Sequence, residues 1–87
     1  MIQTDAAQLP VVVTELKEKY TMYIPDLRIT VDGDDYVELY ARAAVCASAI
    51  LYYNKEHNLT TSFRTTYEDI VDKCVSKNQF PTYLSTI

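Results

Sequence analysis

The segment from Asp35 to Asn54 constrains the fold more than any other part of this chain. Read as a helix at about 100° per residue, it is apolar over an arc of about 260°. Its charged residues Asp35, Glu38 and Arg42 share one narrow wedge. A surface helix of a small domain needs an apolar stripe of little more than about 100°. This helix is therefore expected to be buried on several sides, either at the centre of a compact monomer or against another chain.

Size and composition point to one folded domain that binds proteins. The chain has 87 residues, of which 48% are hydrophobic, so it is long enough for a single domain over residues 1–87 and too apolar for intrinsic disorder. A net charge of −4 argues against direct nucleic-acid binding. Eight tyrosines favour an interaction role, because tyrosine is enriched at protein interfaces.

Targeting and membrane signals are missing from the sequence pattern. The stretch Met1–Gln8 has no basic region followed by an apolar run, so we expect a protein that is not secreted. The uncharged part of the long helix, Ala43–Asn54, is too short to cross a membrane. Cys46 and Cys74 are interpreted as buried free thiols, with a disulfide as the alternative.

The N-terminal third is predicted to contain a helix over residues 9–20. Pro10 suits the first turn of such a helix. The run Val11–Val13 would also serve a strand, because its residues are β-branched. The apolar residues recur at helical intervals: Leu9, Val12, Val13, Leu16 and Tyr20.

A short strand is predicted next. Leu27, Ile29 and Val31 alternate with polar residues, which is typical of a half-buried strand. Asp32-Gly33 then forms a turn. Two continuations remain open after it: a hairpin whose second strand reaches Tyr40, or early capping of the long helix by one of the following aspartates, Asp34 or Asp35.

The C-terminal third is predicted to be a helix over 65–78 followed by an extended tail. Thr65 and Glu68 have the spacing of a capping box. Pro81 keeps residues 79–87 out of a helix, so this apolar tail packs on its own domain or reaches a neighbour as an arm. One apolar stripe marks the helix: Tyr67, Ile70, Val71, Cys74 and Val75. Together these patterns predict a mainly α domain with three helices, at about 9–20, 35–54 and 65–78, and one short strand or hairpin near 27–40.

No residue pattern in the chain indicates catalysis or a cofactor. His57 is the only histidine, and neither cysteine is spaced with it as a metal site would require. Ser48 lies mid-helix, outside any nucleophile motif. The acidic turn at residues 32–35 lacks the ligand spacing of a calcium-binding loop. We therefore expect a protein without enzymatic activity and without a metal or other cofactor.

Two surfaces are candidates for protein contacts. The first is an acidic face that could meet a basic partner, formed by Asp32, Asp34, Asp35 and Glu38. The second is built around small residues spaced by four on the long helix, which let another helix approach closely. It comprises Tyr36, Tyr40, Ala43, Ala44, Ala47, Leu51, Phe80, Tyr83 and Leu84.

The middle of the chain resembles a known family. Leu27-Arg28-Ile29, then Asp32-Gly33-Asp34-Asp35, then an alanine-rich helix ending in Tyr52-Tyr53-Asn54-Lys55 are similar to the small head–tail connector (adaptor) proteins of tailed bacteriophages. The resemblance covers residues 27–59, and Asn54 stands where the family usually has glycine. It implies a mostly helical subunit that assembles as a ring beneath the portal, with a terminal arm on its neighbours.

Two functional hypotheses follow. The first is a non-enzymatic structural subunit of a phage particle, self-associating at the neck of the virion. The alternative is a small acidic inhibitor, made by a phage or mobile element and acting in the host cytoplasm, that blocks a host protein through its acidic face.

Overall fold

The fold of this computed structural model is mixed, with helix and strand in equal proportion, and the model describes residues 7–60 and 64–86. Its elements are four strands and two helices, in the order β1 Ala7–Leu16, β2 Lys19–Ile24, β3 Ile29–Gly33, α1 Tyr36–Glu56, α2 Tyr67–Lys73 and β4 Gln79–Thr86. The strands form one antiparallel sheet with the order β3-β2-β1-β4. The prediction of a mainly α domain with three helices is therefore wrong.

The largest error lies at the N-terminus, where β1 replaces the helix predicted over residues 9–20. Leu9, Val11 and Val13 are fully buried on one face of the sheet, and Val12 is buried on the other. A strand covered on both faces reads as a continuous apolar run without polar alternation. Such a run is compatible with helical spacing, and only the β-branched Val11–Val13 pointed to a strand.

β2 was not predicted from the sequence. Its first residues, Lys19 and Tyr20, fall within the predicted helix over 9–20. Lys17 and Glu18 form a two-residue turn, and Leu16 pairs with Lys19 across it. Met22 and Ile24 then point into the core. β3 follows at Ile29–Gly33, inside the region where a strand was expected.

The long helix begins directly after β3, so the hairpin reaching Tyr40 does not form. The Asp35 carboxylate caps it by accepting a hydrogen bond from the Glu38 backbone N–H at 2.8 Å. The Glu38 carboxylate in turn accepts from the Asp34 N–H at 2.7 Å. One side of α1 packs on the sheet, where Leu39, Ala43 and Ala47 are fully buried.

α2 is shorter than the predicted helix and lies on the opposite face of the sheet. Its capping box is formed by Thr66 and Asp69, one residue later than predicted. Of its predicted apolar stripe only Ile70 is fully buried. Tyr67 stacks on Tyr83 with ring centroids 5.2 Å apart. The Tyr83 side chain points away from α1, because successive side chains of a strand alternate and that of Leu84 points towards α1.

The tail beyond α2 is a strand of the central sheet. β4 pairs antiparallel with β1, from Thr14 opposite Gln79 to Ala7 opposite Thr86. Residues 79–86 are therefore docked on their own chain, where Leu84 belongs to the core under α1 and Phe80 packs against it.

Candidate interaction surface

A strip of apolar residues on the side of α1 that faces away from the sheet is open to solvent. Val37, Val45 and Tyr52 expose 81%, 69% and 66% of their surface, and Ala41 lies exposed between them. These four residues share one face because they are spaced by four, four and seven positions. We call them the outer face of α1.

The outer face of α1 is more apolar than the exposed face of an ordinary surface helix. Solvent-facing positions of an amphipathic helix are normally polar or charged. Here the nearest charged pair, Glu38 and Arg42 at 3.2 Å, lies at the border of the apolar strip. Exposed apolar residues that are contiguous and rimmed by polar groups mark interaction sites more often than isolated ones do. The wide apolar arc read from the sequence is thus half covered by the sheet and half exposed.

None of the interface residues predicted from the sequence lies on this outer face. Ala43, Ala47 and Leu84 are buried in the core, so the close approach that the small residues permit is made by the sheet and not by a second helix. Leu51 is half-buried, and Tyr83 stacks on α2. The others pack partly buried against the core: Tyr36, Tyr40, Ala44 and Phe80.

Sequence reasoning missed Val37, Val45 and Tyr52 as interface candidates. All three lie within the apolar arc seen on the helical wheel. The wheel gives no sign of which part of that arc the sheet covers, because the sheet contacts depend on residues distant in sequence. Their exposure follows from the packing of Leu39, Ala43 and Ala47 on the sheet, which turns the opposite side of α1 to solvent.

The predicted acidic face is largely occupied by interactions within the chain. Asp35 caps α1, and Glu38 pairs with Arg42. Asp32 forms an ion pair with Lys19 at 3.6 Å, and Arg42 also donates to the Asp32 backbone carbonyl at 3.1 Å. Two basic side chains thus lie among the acids, which reduces the negative field that a basic partner would meet.

An aromatic cluster fixes the start of α1 to three strands. The ring centroid of Tyr36 lies 4.3 Å from that of Tyr20. It lies 6.0 Å from that of Phe80, and these two rings meet edge to face. The Tyr36 hydroxyl donates a hydrogen bond to the Glu15 carboxylate. This hydrogen bond, together with burial and the negative charge of Glu15, raises the pKa of Tyr36 to about 12. The cluster holds α1 in place on the sheet and leaves its outer face open.

The histidine and the two cysteines do not form a metal-binding cluster in the described part of the chain. His57 is exposed at the end of α1, with its ring 4.1 Å from that of Tyr53. Cys46 and Cys74 are both free thiols; Cys46 is exposed rather than buried, and burial raises the pKa of Cys74. Within residues 7–60 and 64–86, His, Cys, Asp and Glu nowhere cluster in threes that could hold a metal ion. Neither described helix is long and apolar enough to span a membrane.

A scan against protein-family models and searches of the curated proteins and of the solved structures match nothing to this chain.

Proposed function

We propose that this protein is a non-enzymatic subunit that acts through protein–protein contacts, and that it self-associates through the outer face of α1. The observation that carries the proposal is the exposure of Val37, Val45 and Tyr52 on one helical face. Keeping such a strip in water forfeits about 25 cal/mol for each Å² of apolar surface that a contact would bury. A second protein surface would recover that free energy.

The setting that we propose is a virion, where the subunit would act as a head–tail connector of a tailed phage. The resemblance over residues 27–59 and the outer face of α1 support this setting. The mostly helical architecture that the resemblance implies does not hold for this chain, so the proposal rests mainly on the surface. The alternative, an acidic inhibitor, is less favoured because Lys19 and Arg42 pair with acids of the proposed binding face.

The test is the oligomeric state in solution, measured by sedimentation velocity at micromolar concentration. We expect the wild-type chain to form a defined oligomer. Val45→Glu should shift it towards smaller species, because a carboxylate at a closed apolar contact loses its hydration without gaining a partner. Thr30→Glu is the matched control: it adds the same charge at an exposed site on the sheet face that points away from α1.

The two variants separate a specific contact from a general effect of charge. Equal dissociation by both would indicate electrostatic repulsion alone. A wild-type chain that remains a monomer, with no change in Val45→Glu, would contradict self-association through this face.

A further inference from the structure

The outer edge of β4 is a second surface that no strand of the described residues covers. Among the strands of the described residues, β4 stands last in the sheet and pairs only with β1. The Glu15 N–H donates to the Asn78 carbonyl at 2.8 Å, so Glu15 and alternate residues before it turn their backbone groups towards β4. By the same alternation, the backbone N–H and C=O groups of Phe80, Thr82 and Leu84 point towards β1. The backbone groups of the residues between them in β4 point away from the sheet.

Two residues of β4 have an outward backbone N–H that no described group accepts. The Gln79 N–H donates to the Ser76 carbonyl at 3.1 Å, and Pro81 has no N–H. Tyr83 and Ser85 remain, each presenting one N–H and one carbonyl to the open side of the sheet. Their side chains lie exposed on the sheet face opposite α1.

The other edge of the sheet is blocked. β3 has five residues, and the backbone groups of Asp32 and of its alternate residue Thr30 point away from β2, because the Asp32 carbonyl accepts from Arg42 and not from the sheet. Arg42 occupies the outward carbonyl of Asp32, and Lys19 pairs with its carboxylate. Short length and charged side chains are the usual protections of an edge strand against pairing. β4 has eight residues and no charged side chain.

We propose that the outer edge of β4 pairs antiparallel with the same edge of a second copy of this chain, which joins the two sheets into one of eight strands. Across a two-fold axis, Tyr83 of each copy lies opposite Ser85 of the other. Each such pair exchanges two backbone hydrogen bonds, so four form in all. The large tyrosine ring also lies beside the small serine, which avoids a clash between side chains of the two copies.

Charge opposes a second copy least at the outer edge of β4. With a net charge of −4, two copies repel each other over most of their surface. The stretch from Asn78 to Thr86 carries no charge, so repulsion is weakest where the two β4 strands would meet. This inference rests on the proposed function, because both assume that the protein acts by self-association. It concerns a surface separate from the outer face of α1.

The experiment measures amide hydrogen exchange by NMR on the full chain, together with sedimentation velocity. On raising the concentration until the dimer forms, we expect the Tyr83 and Ser85 amides to slow about tenfold or more, because exchange then requires dissociation or local opening. Ser85→Pro should abolish this dimer, because it removes an outward donor without touching the pairing with β1. Thr30→Pro removes the corresponding outward donor at the blocked edge and should leave the dimer intact.

Ser85→Glu is a second variant that does not depend on how the chain tolerates proline. It keeps the backbone donor and adds a negative charge to each copy at an exposed position, so it should also dissociate the dimer while circular dichroism stays unchanged. A dimer in which the Tyr83 and Ser85 amides exchange freely would overturn the inference. Slow exchange of these amides in a monomer would overturn it too, because the edge would then be covered from within the chain.

The two proposals fail separately. If Val45→Glu dissociates the assembly and Ser85→Pro does not, edge pairing is wrong and the outer face of α1 stands. If only Ser85→Pro dissociates it, edge pairing stands and the outer face of α1 is not the contact.

Discussion

Gly33 and Leu39 approach each other so closely that residue 33 has no room for a side chain. A Cβ at this position would lie 2.7 Å from the Leu39 backbone nitrogen and 2.9 Å from its Cα. The only glycine of the chain is therefore required by the contact between the end of β3 and the first turn of α1.

Gly33→Ala should destabilise the fold. The clash is with backbone atoms, which cannot rotate away, so we expect a loss of about 1–3 kcal/mol in the free energy of unfolding. Urea titration followed by circular dichroism measures it. Thr30→Ala, in the same strand but exposed, should change stability little. Equal stability of both variants would show that α1 does not start so close to β3.

Ala43→Leu tests the contact between α1 and the sheet. Ala43 is fully buried, and three additional carbon atoms there force the helix away from the strands. We expect a cost of about 1–3 kcal/mol. Ala41→Leu places the same side chain on the outer face of α1, where it should be tolerated by the fold. A thermal melt of each variant distinguishes them, and the reverse order would mean that the two faces of α1 are exchanged.

The capping box of α2 distinguishes two possible first residues of the helix cap, Thr66 in the structure and Thr65 in the sequence prediction. Thr66→Ala removes the side chain that accepts from the Asp69 N–H at 3.1 Å, and we expect a loss of about 1 kcal/mol. Glu68→Ala alters an exposed residue outside the box and should have a smaller effect. A larger loss in Glu68→Ala would favour the register that starts at Thr65.

Stability should fall in alkali through Tyr36. Its pKa is raised in the folded chain from the usual 10.0 to about 12, because the neutral hydroxyl donates to Glu15. Ionisation removes that donor and places two negative charges together. The stabilisation is therefore fully present below pH 10 and is lost as the pH rises towards 12.

The measurement for Tyr36 is the urea midpoint across this pH range, compared with Tyr36→Phe. The other tyrosines are common to both proteins, so the difference in urea midpoint between the two isolates Tyr36. We expect that difference to shrink between pH 10 and 12. A constant difference would show that the hydrogen bond to Glu15 does not contribute to stability.

Deleting the chain after Asn78 should unfold it. β4 is one of the two neighbours of β1, and Leu84 lies fully inside the core. The deletion exposes Leu9, Val11 and Val13, and circular dichroism should report the loss of both sheet and helix. A folded product would mean that residues 79–86 act only as an assembly arm.

Part of this fold was predictable because it depends on neighbours in sequence. Asp35 caps α1 through a residue three positions away, and the sustained apolar pattern after it indicates a helix. The alternation of Ile29 and Val31 with polar residues indicated a strand in the same local way. These interactions form within one turn or one strand, so sequence spacing describes them.

The rest was decided by contacts between residues far apart in the chain. β1 is a strand because β2 and β4 satisfy its backbone hydrogen bonds on both sides, and β4 comes from the other end of the sequence. Its apolar run, Leu9–Val13, is equally compatible with a helix until those partners are in place.

The candidate surface divides in the same way. The sequence by itself determined that α1 is a helix with an apolar arc too wide for a solvated face. Only the tertiary structure decided that Leu39, Ala43 and Ala47 are buried and that Val37, Val45 and Tyr52 are exposed. The physical reason is that helical periodicity fixes which side chains share a face, whereas the sheet, assembled from both ends of the chain, selects the face that is covered.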